Sequence, residues 1–241
     1  MELASKDSCT GCGNCRLVCK KKAVTFTRDA LKNIYPVIDN SKCVRCGLCQ
    51  NACPTINRVE KITPKGCYSC YATNTAIRKS SASGGVAQAI YRWCLKNDMP
   101  FAGVYFDNKE LKAKYKLGFS EEDILQFTNS KYTFSFMGNI SEDIADILKK
   151  GKLLVFIGLP CQVAAVKKYA EIKKVNTENL FTVDIICHGV PSDLYIKEHV
   201  KSICNGATKI DRLSFRDEHF MTSKFVFSLV WIIMERTIIN T

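Results

Sequence analysis

Hydrophobic and polar positions along the chain change their rhythm near Tyr68. Before it, Val24-Thr25-Phe26-Thr27-Arg28 and Tyr35-Pro36-Val37-Ile38-Asp39 read as two short strands. After it, Val86, Ala89, Ile90 and Trp93 recur at helical spacing behind Ser83-Gly84-Gly85, which predicts a helix capped by Ser83. Phe101–Phe106 reads as a strand, and Ser141 opens a helix through Leu148 that Gly151 closes. Leu153–Ile157 is an unbroken apolar run, the pattern of a buried parallel strand. Gly158-Leu159-Pro160 turns it into a helix from about Cys161 to Tyr169. Leu180–Ile186 repeats the pattern, and Cys187–Ser192 leads into a helix reaching about Cys204. Strand, turn and helix in this order predict parallel β-α-β units. The last stretch, Phe225–Thr241, has no polar face and reads as a core strand whose partners are missing, as if the chain ended early.

Cysteine content alters the reading of the first 57 residues. The chain has 241 residues and 14 cysteines, most of them clustered. Met1 is not followed by the apolar stretch of a secretory signal, so the expectation is a reducing, cytoplasmic setting with metal-bound thiolates. Two C-x2-C-x2-C-x3-C runs, Cys9–Cys19 and Cys43–Cys53, repeat at a spacing of 34 residues. Three closely spaced cysteines hold one cubane, while the fourth reaches the other cluster. The expected ligands are Cys9, Cys12, Cys15 and Cys53 for one [4Fe-4S] cluster and Cys43, Cys46, Cys49 and Cys19 for the second. Two zinc sites are the alternative, and this duplicated spacing fits them poorly. Each half is too small to form a core, so metal must stabilise it. The fold class expected is an α+β ferredoxin-like domain over residues 1–57, a linker at 58–66 with Pro64 and Gly66 as breakers, and an incomplete α/β domain over 67–241.

Charge points to the partner. The net formal charge is +12, of which +7 falls in residues 1–66. Oxidised cubanes with their ligands each bring about −2, leaving a basic molecule suited to acidic proteins or anionic cofactors. No basic stripe is interleaved with aromatics, so nucleic acid is not expected. Lys20, Lys21 and Lys22 beside Cys19 are either a solvated surface run or a device that raises the cluster potential or docks an acidic carrier. No apolar run reaches the ~18 residues of a membrane span.

Three further motifs carry candidate chemistry. Ser80-Ser81-Ala82-Ser83-Gly84-Gly85 precedes a helix, where backbone N–H groups meet an anion, although a plain capped turn has the same composition. Cys161 and Cys187 sit at strand-to-helix turns, the place where open α/β sheets build sites and where a thiol is readily activated. They read as a redox or further metal site, or as two buried apolar cysteines, with His188 either a ligand or structural. Cys67 and Cys70 form an isolated C-x2-C read as packing or incidental, and Cys94 and Cys204 read as core.

Ser80–Gly85, Asn129-Ser130-Lys131-Tyr132, Gly158–Gln162 and Asp184–Ser192 follow the dicluster segment in that order. Together they resemble the coenzyme F420 hydrogenase/dehydrogenase beta subunit family over roughly residues 5–218. The resemblance implies FAD bordered by Ser81, Ser83, Gly84, Gly85, Ser130, Lys131, Tyr132, Gly158, Pro160, Cys161 and Gln162. In that reading Lys131 binds a phosphate or polarises the flavin, and an F420-like deazaflavin or another hydride donor is the substrate. Electrons pass through FAD and the two clusters to an electron-carrier protein or other redox subunits. Leu159 departs from the family's usual threonine and removes a hydroxyl near the expected flavin. The rival reading is an electron-transfer ferredoxin module, or an inactive fragment, without flavin chemistry.

Overall fold

The duplicated cysteine run folds into two matching loops. In the computed structural model, which describes residues 2–60, 62–204, 209–216, 228–233 and 236–240, short helices α1 (Asn14–Leu17) and α2 (Leu48–Asn51) open at the equivalent glycines Gly13 and Gly47. Both glycines are left-handed (φ 85 and 78), and so are Gly11 and Arg45, again 34 residues apart (φ 66 and 54). The strands β1 (Val24–Arg28) and β2 (Ile34–Ile38) pair antiparallel between them.

After the short α3 (Thr75–Lys79) comes the main layered unit: α4 (Val86–Lys96), β3 (Phe101–Asp107), β4 (Lys112–Gly118), α5 (Glu121–Phe127), β5 (Ser135–Phe136), α6 (Ile140–Lys149), β6 (Leu154–Gly158), α7 (Pro160–Ile172), β7 (Leu180–Asp184) and α8 (Asp193–Ile203). The sheet order is β5-β4-β3-β6-β7. β6 is parallel to both β3 and β7, as expected of its apolar run, and all five of its residues are buried. That run is apolar throughout because it feeds both faces. Leu154 and Phe156 join the core beneath α6 and α7, while Val155 and Ile157 join the core beneath α4 and α5.

Four expectations are corrected. The sheet is mixed: β3 and β4 form an antiparallel hairpin, because Asp107 Oδ1 accepts from the Lys109 and Glu110 amides (both 3.0 Å) and folds a tight turn. The cap of α4 is Gly85 (φ 79), with no side-chain capping bond; a left-handed residue is needed there, which Ser83 does not supply. β7 stops at Asp184 as a half-exposed edge strand, leaving Ile185 and Ile186 outside the sheet. The tail strand has partners: β9 (Ser228–Ile233) pairs antiparallel with both β8 (Lys209–Ser214) and β10 (Arg236–Asn240). Phe225–Phe227, Met234, Glu235 and Thr241 of that tail lie outside the described residues.

The cysteine-rich unit is fastened to the layered unit by buried polar contacts. Asn14, fully buried, donates to Ala165 O (2.7 Å) on α7 and Ala52 O (3.2 Å), and accepts from Ser141 Oγ (3.3 Å) on α6. Arg28 on β1 pairs with Asp193 at 2.9 Å in the first turn of α8, where the carboxylate is 1% exposed. The Gly11 loop lies on Phe134, whose ring would be 2.8 Å from any added Cβ.

Candidate functional site

Two sites emerge. The first is a small cavity of about 20 Å³ lined by Cys9, Cys12, Cys15 and Cys53, with Leu3, Phe26 and Pro36 around them. Left-handed Gly11 and Gly13 bend the loop so that its thiols turn inward, and Gly11 N–H donates to Cys9 Sγ at 3.4 Å. Burial pushes the Cys9, Cys12 and Cys15 thiols up, Cys12 to about 11, and the neighbouring sulfurs repel a further negative charge. Such thiolates need a cation, and the donor set fits a [4Fe-4S] cluster.

The second cysteine group repeats this geometry. Burial raises the Cys49 thiol, which also feels Cys19 and Cys43. The Ala23 amide donates to Cys19 Sγ at 3.3 Å, and Cys46 is exposed. Cys19, Cys43 and Cys49 are thus neighbours, a thiol set whose chemistry suits an iron–sulfur cluster. Among the described residues, no three His, Cys, Asp or Glu side chains are grouped for a single metal ion.

The other site is a cleft of about 1700 Å³, including its open mouth, at the carboxyl end of β6 and the N-terminus of α4. Ser81, Ser83, Gly84, Gly85, Ser130, Lys131, Tyr132 and Gln162 line it, and so do Cys187 and His188. Gly158, Pro160 and Cys161 stand behind this lining, in the turn that carries Gln162. The first amides of α4 open on the cleft without a side-chain cap. The Ser80 and Ser81 hydroxyls are committed to Ile77 O and to buried Gln88 (3.2 and 3.0 Å), which sets the turn. Gln162 is a buried hub: its carbonyl accepts from Tyr115 Oη and from the Leu159 amide (2.9 Å).

Lys131 departs from its expected use. Its ammonium donates to Gln126 O (3.0 Å), Thr128 O (2.6 Å) and Asn129 O (3.2 Å) at the C-terminal end of α5. Burial pushes its pKa down to about 7, while the three carbonyls favour the charged form.

Thr133 was not legible in the sequence. It is fully buried, lines the cleft, and its Oγ1 has no hydrogen-bond partner among the described residues. Gln88, Tyr115, Ile185 and Ile186 also line the cleft. The one sequence signal among these was the apolar end of the Leu180–Ile186 run. Cys161 is half-buried, with its thiol raised by burial and by nearby Cys187. Cys187 is exposed and accepts from the Gly189 amide at 3.3 Å. Cys94 and Cys204 are buried as expected. Cys67 and Cys70 are exposed, so they have no packing role, and Cys70 lines the cleft.

This arrangement is that of an iron–sulfur electron-transfer subunit of oxidoreductase type. Residues 8–57 match the 4Fe-4S dicluster domain, and residues 151–230 match the C terminus of the coenzyme F420 hydrogenase/dehydrogenase beta subunit. The chain thus combines a dicluster domain with a later segment similar to the C terminus of that beta subunit. It is similar to the coenzyme F420-dependent sulfite reductase of Methanocaldococcus jannaschii, 26% identical over 172 residues that make up 69% of this chain and 26% of the relative. It is also similar to the uncharacterised protein MJ1349 of the same organism, 29% identical over 68% of this chain and 53% of that protein. The chain therefore spans only about a quarter and about half of these relatives. Among solved structures, a chain of the F420-reducing [NiFe] hydrogenase complex from Methanosarcina barkeri superposes with a TM-score of 0.45. That alignment has 20% identity and covers 70% of this chain and 57% of that one. Among the described residues, no helix is long and apolar enough to cross a membrane.

Proposed function

We propose that this chain is a cytoplasmic iron–sulfur flavoprotein oxidoreductase subunit. In this reading it exchanges a hydride with an F420-like deazaflavin, or another hydride carrier, at FAD in the cleft. It exchanges single electrons with an external carrier through two [4Fe-4S] clusters. Residues 1–57 form the cluster domain, 58–66 the linker and 67–241 the flavin domain. The observation that carries the proposal is the convergence of Ser81–Gly85, Ser130–Tyr132, Gln162 and Cys187 on one cleft, although they are spread over more than 100 positions of chain. Orphaned Thr133 Oγ1 and the uncapped α4 amides give that cleft polar groups without partners, which fits a large anionic ligand.

The α4 amides and the Ser83–Gly85 turn bind the pyrophosphate. Gln162, fixed by Tyr115, the Leu159 amide and its own donation to Ser135 O (3.4 Å), would border the flavin, with Gly158, Pro160 and Cys161 shaping the turn behind it. Lys131 steadies the Ser130–Tyr132 segment through the α5 carbonyls, and Ile185 and Ile186 give the mouth of the cleft an apolar lining. A bound flavin supplies the conversion between two-electron and one-electron chemistry.

The test is reduction of the anaerobically purified holoprotein by reduced coenzyme F420, read as cluster EPR signal with and without added FAD. The reading expects FAD-dependent reduction that Gly85→Glu abolishes while the iron content stays at the wild-type level. Cluster reduction indifferent to FAD and to Gly85→Glu contradicts it, and leaves an electron-transfer module without flavin chemistry.

A further inference from the structure

The two cysteine groups are not equivalent with respect to the cleft. Cys12 packs on the core that contains Tyr115 and Val163, and Tyr115 lines the cleft. Gly11 abuts Phe134, next to cleft-lining Thr133. Helix α7 measures the offset. Gln162 is at the cleft, Ala165 holds Asn14 beside Cys15, and Tyr169, about 6 Å further along the axis, lies in the core shared by Cys15 and Cys49. The Cys9/Cys12/Cys15/Cys53 group is thus the inner one.

The outer group lies at a basic surface. Lys20, Lys21 and Lys22 form the turn that wraps Cys19, with the Lys22 amide donating to Cys19 O at 2.9 Å. Arg45 stands beside exposed Cys46. All four cations are exposed, and among the described residues none has an acidic partner. Lys42 nearby is already tied to Asp39 at 2.9 Å. Residues 14–53 contain eight lysines and arginines against two aspartates. A cubane with its ligands contributes about −2, so this face stays positive in the loaded protein. Val44, 61% exposed, adds an apolar contact between Cys43 and Arg45.

We propose that the Cys19/Cys43/Cys46/Cys49 cluster is the exit, and that Lys20, Lys21, Lys22, Arg45 and Val44 form the landing face for an acidic one-electron carrier protein. The step transfers one electron from the reduced cluster to the oxidised carrier and moves no atoms. It deepens the electron-transfer part of the function proposed above and does not depend on the flavin.

The experiment uses dithionite-reduced holoprotein, which bypasses any flavin, mixed in stopped flow with an oxidised acidic bacterial ferredoxin over a range of salt. Methyl viologen, a small cationic acceptor, is the control. The wild-type rate falls with salt. Lys20→Glu/Lys21→Glu/Lys22→Glu lowers the low-salt rate about tenfold or more and flattens the salt slope, without slowing transfer to the viologen. Arg45→Glu alone moves in the same direction, which covers the case of a triple variant that loses iron. Lys6→Glu, on the inner-cluster loop, leaves the ferredoxin rate within twofold. A ferredoxin rate insensitive to salt and to the outer reversals overturns the proposal, as does an equal loss in Lys6→Glu.

Discussion

Gly11 and Arg45 occupy equivalent places in the repeat and share the left-handed backbone. Arginine at one of them shows that this backbone alone does not demand glycine. Phe134 demands it at position 11, because its ring fills the space a Cβ needs. Gly11→Ala is therefore expected to destabilise the holoprotein by about 1–3 kcal/mol, and Arg45→Ala by much less. Phe134→Leu should recover part of that loss in a double-mutant cycle followed by thermal unfolding, and strict additivity contradicts this account. The candidate cysteine ligands could be named residue by residue because cluster chemistry fixes their spacing. Asn14 and Thr133 were not: each is a small polar residue whose importance comes from what another segment brings to it.

Among the elements, those with a strong apolar period were readable. β6 and α7 stand where the runs Leu153–Ile157 and Cys161–Tyr169 placed them, within a few residues. β4 escapes the apolar-run reading although Lys112, Lys114 and Lys116 alternate with Ala113, Tyr115 and Leu117, the signature of a half-buried strand. Its lysines concealed it. They reach acidic partners instead of the core: Lys112 pairs with Glu110, Lys114 with Asp107 and Glu110, and Lys116 with Asp123. The contact between β1 and α8 was beyond any local pattern, since Arg28 and Asp193 are 165 positions apart. Arg28→Met leaves the buried Asp193 carboxylate with only its long pairing to Lys197 (3.9 Å) and is expected to cost about 3 kcal/mol, whereas Arg28→Met/Asp193→Leu should recover most of it. Equal denaturant midpoints for the single and double variants refute this description of the joint.

At the scale of the molecule, a cysteine unit held to α7 through Asn14 and Ala165 adjoins a cleft built about one turn away, at the N-terminus of the same helix. The motif order along the chain made the resemblance legible. The sequence left unstated that one cleft collects four of those motifs, and which cluster faces inward, because both depend on long-range packing. The most direct test is the iron, acid-labile sulfide and flavin content of anaerobically purified protein. The account predicts about eight irons and eight sulfides per chain, with about one flavin. Zinc in place of iron contradicts the cluster sites, and full iron and sulfide without flavin, even after incubation with FAD, contradicts the cleft as its seat.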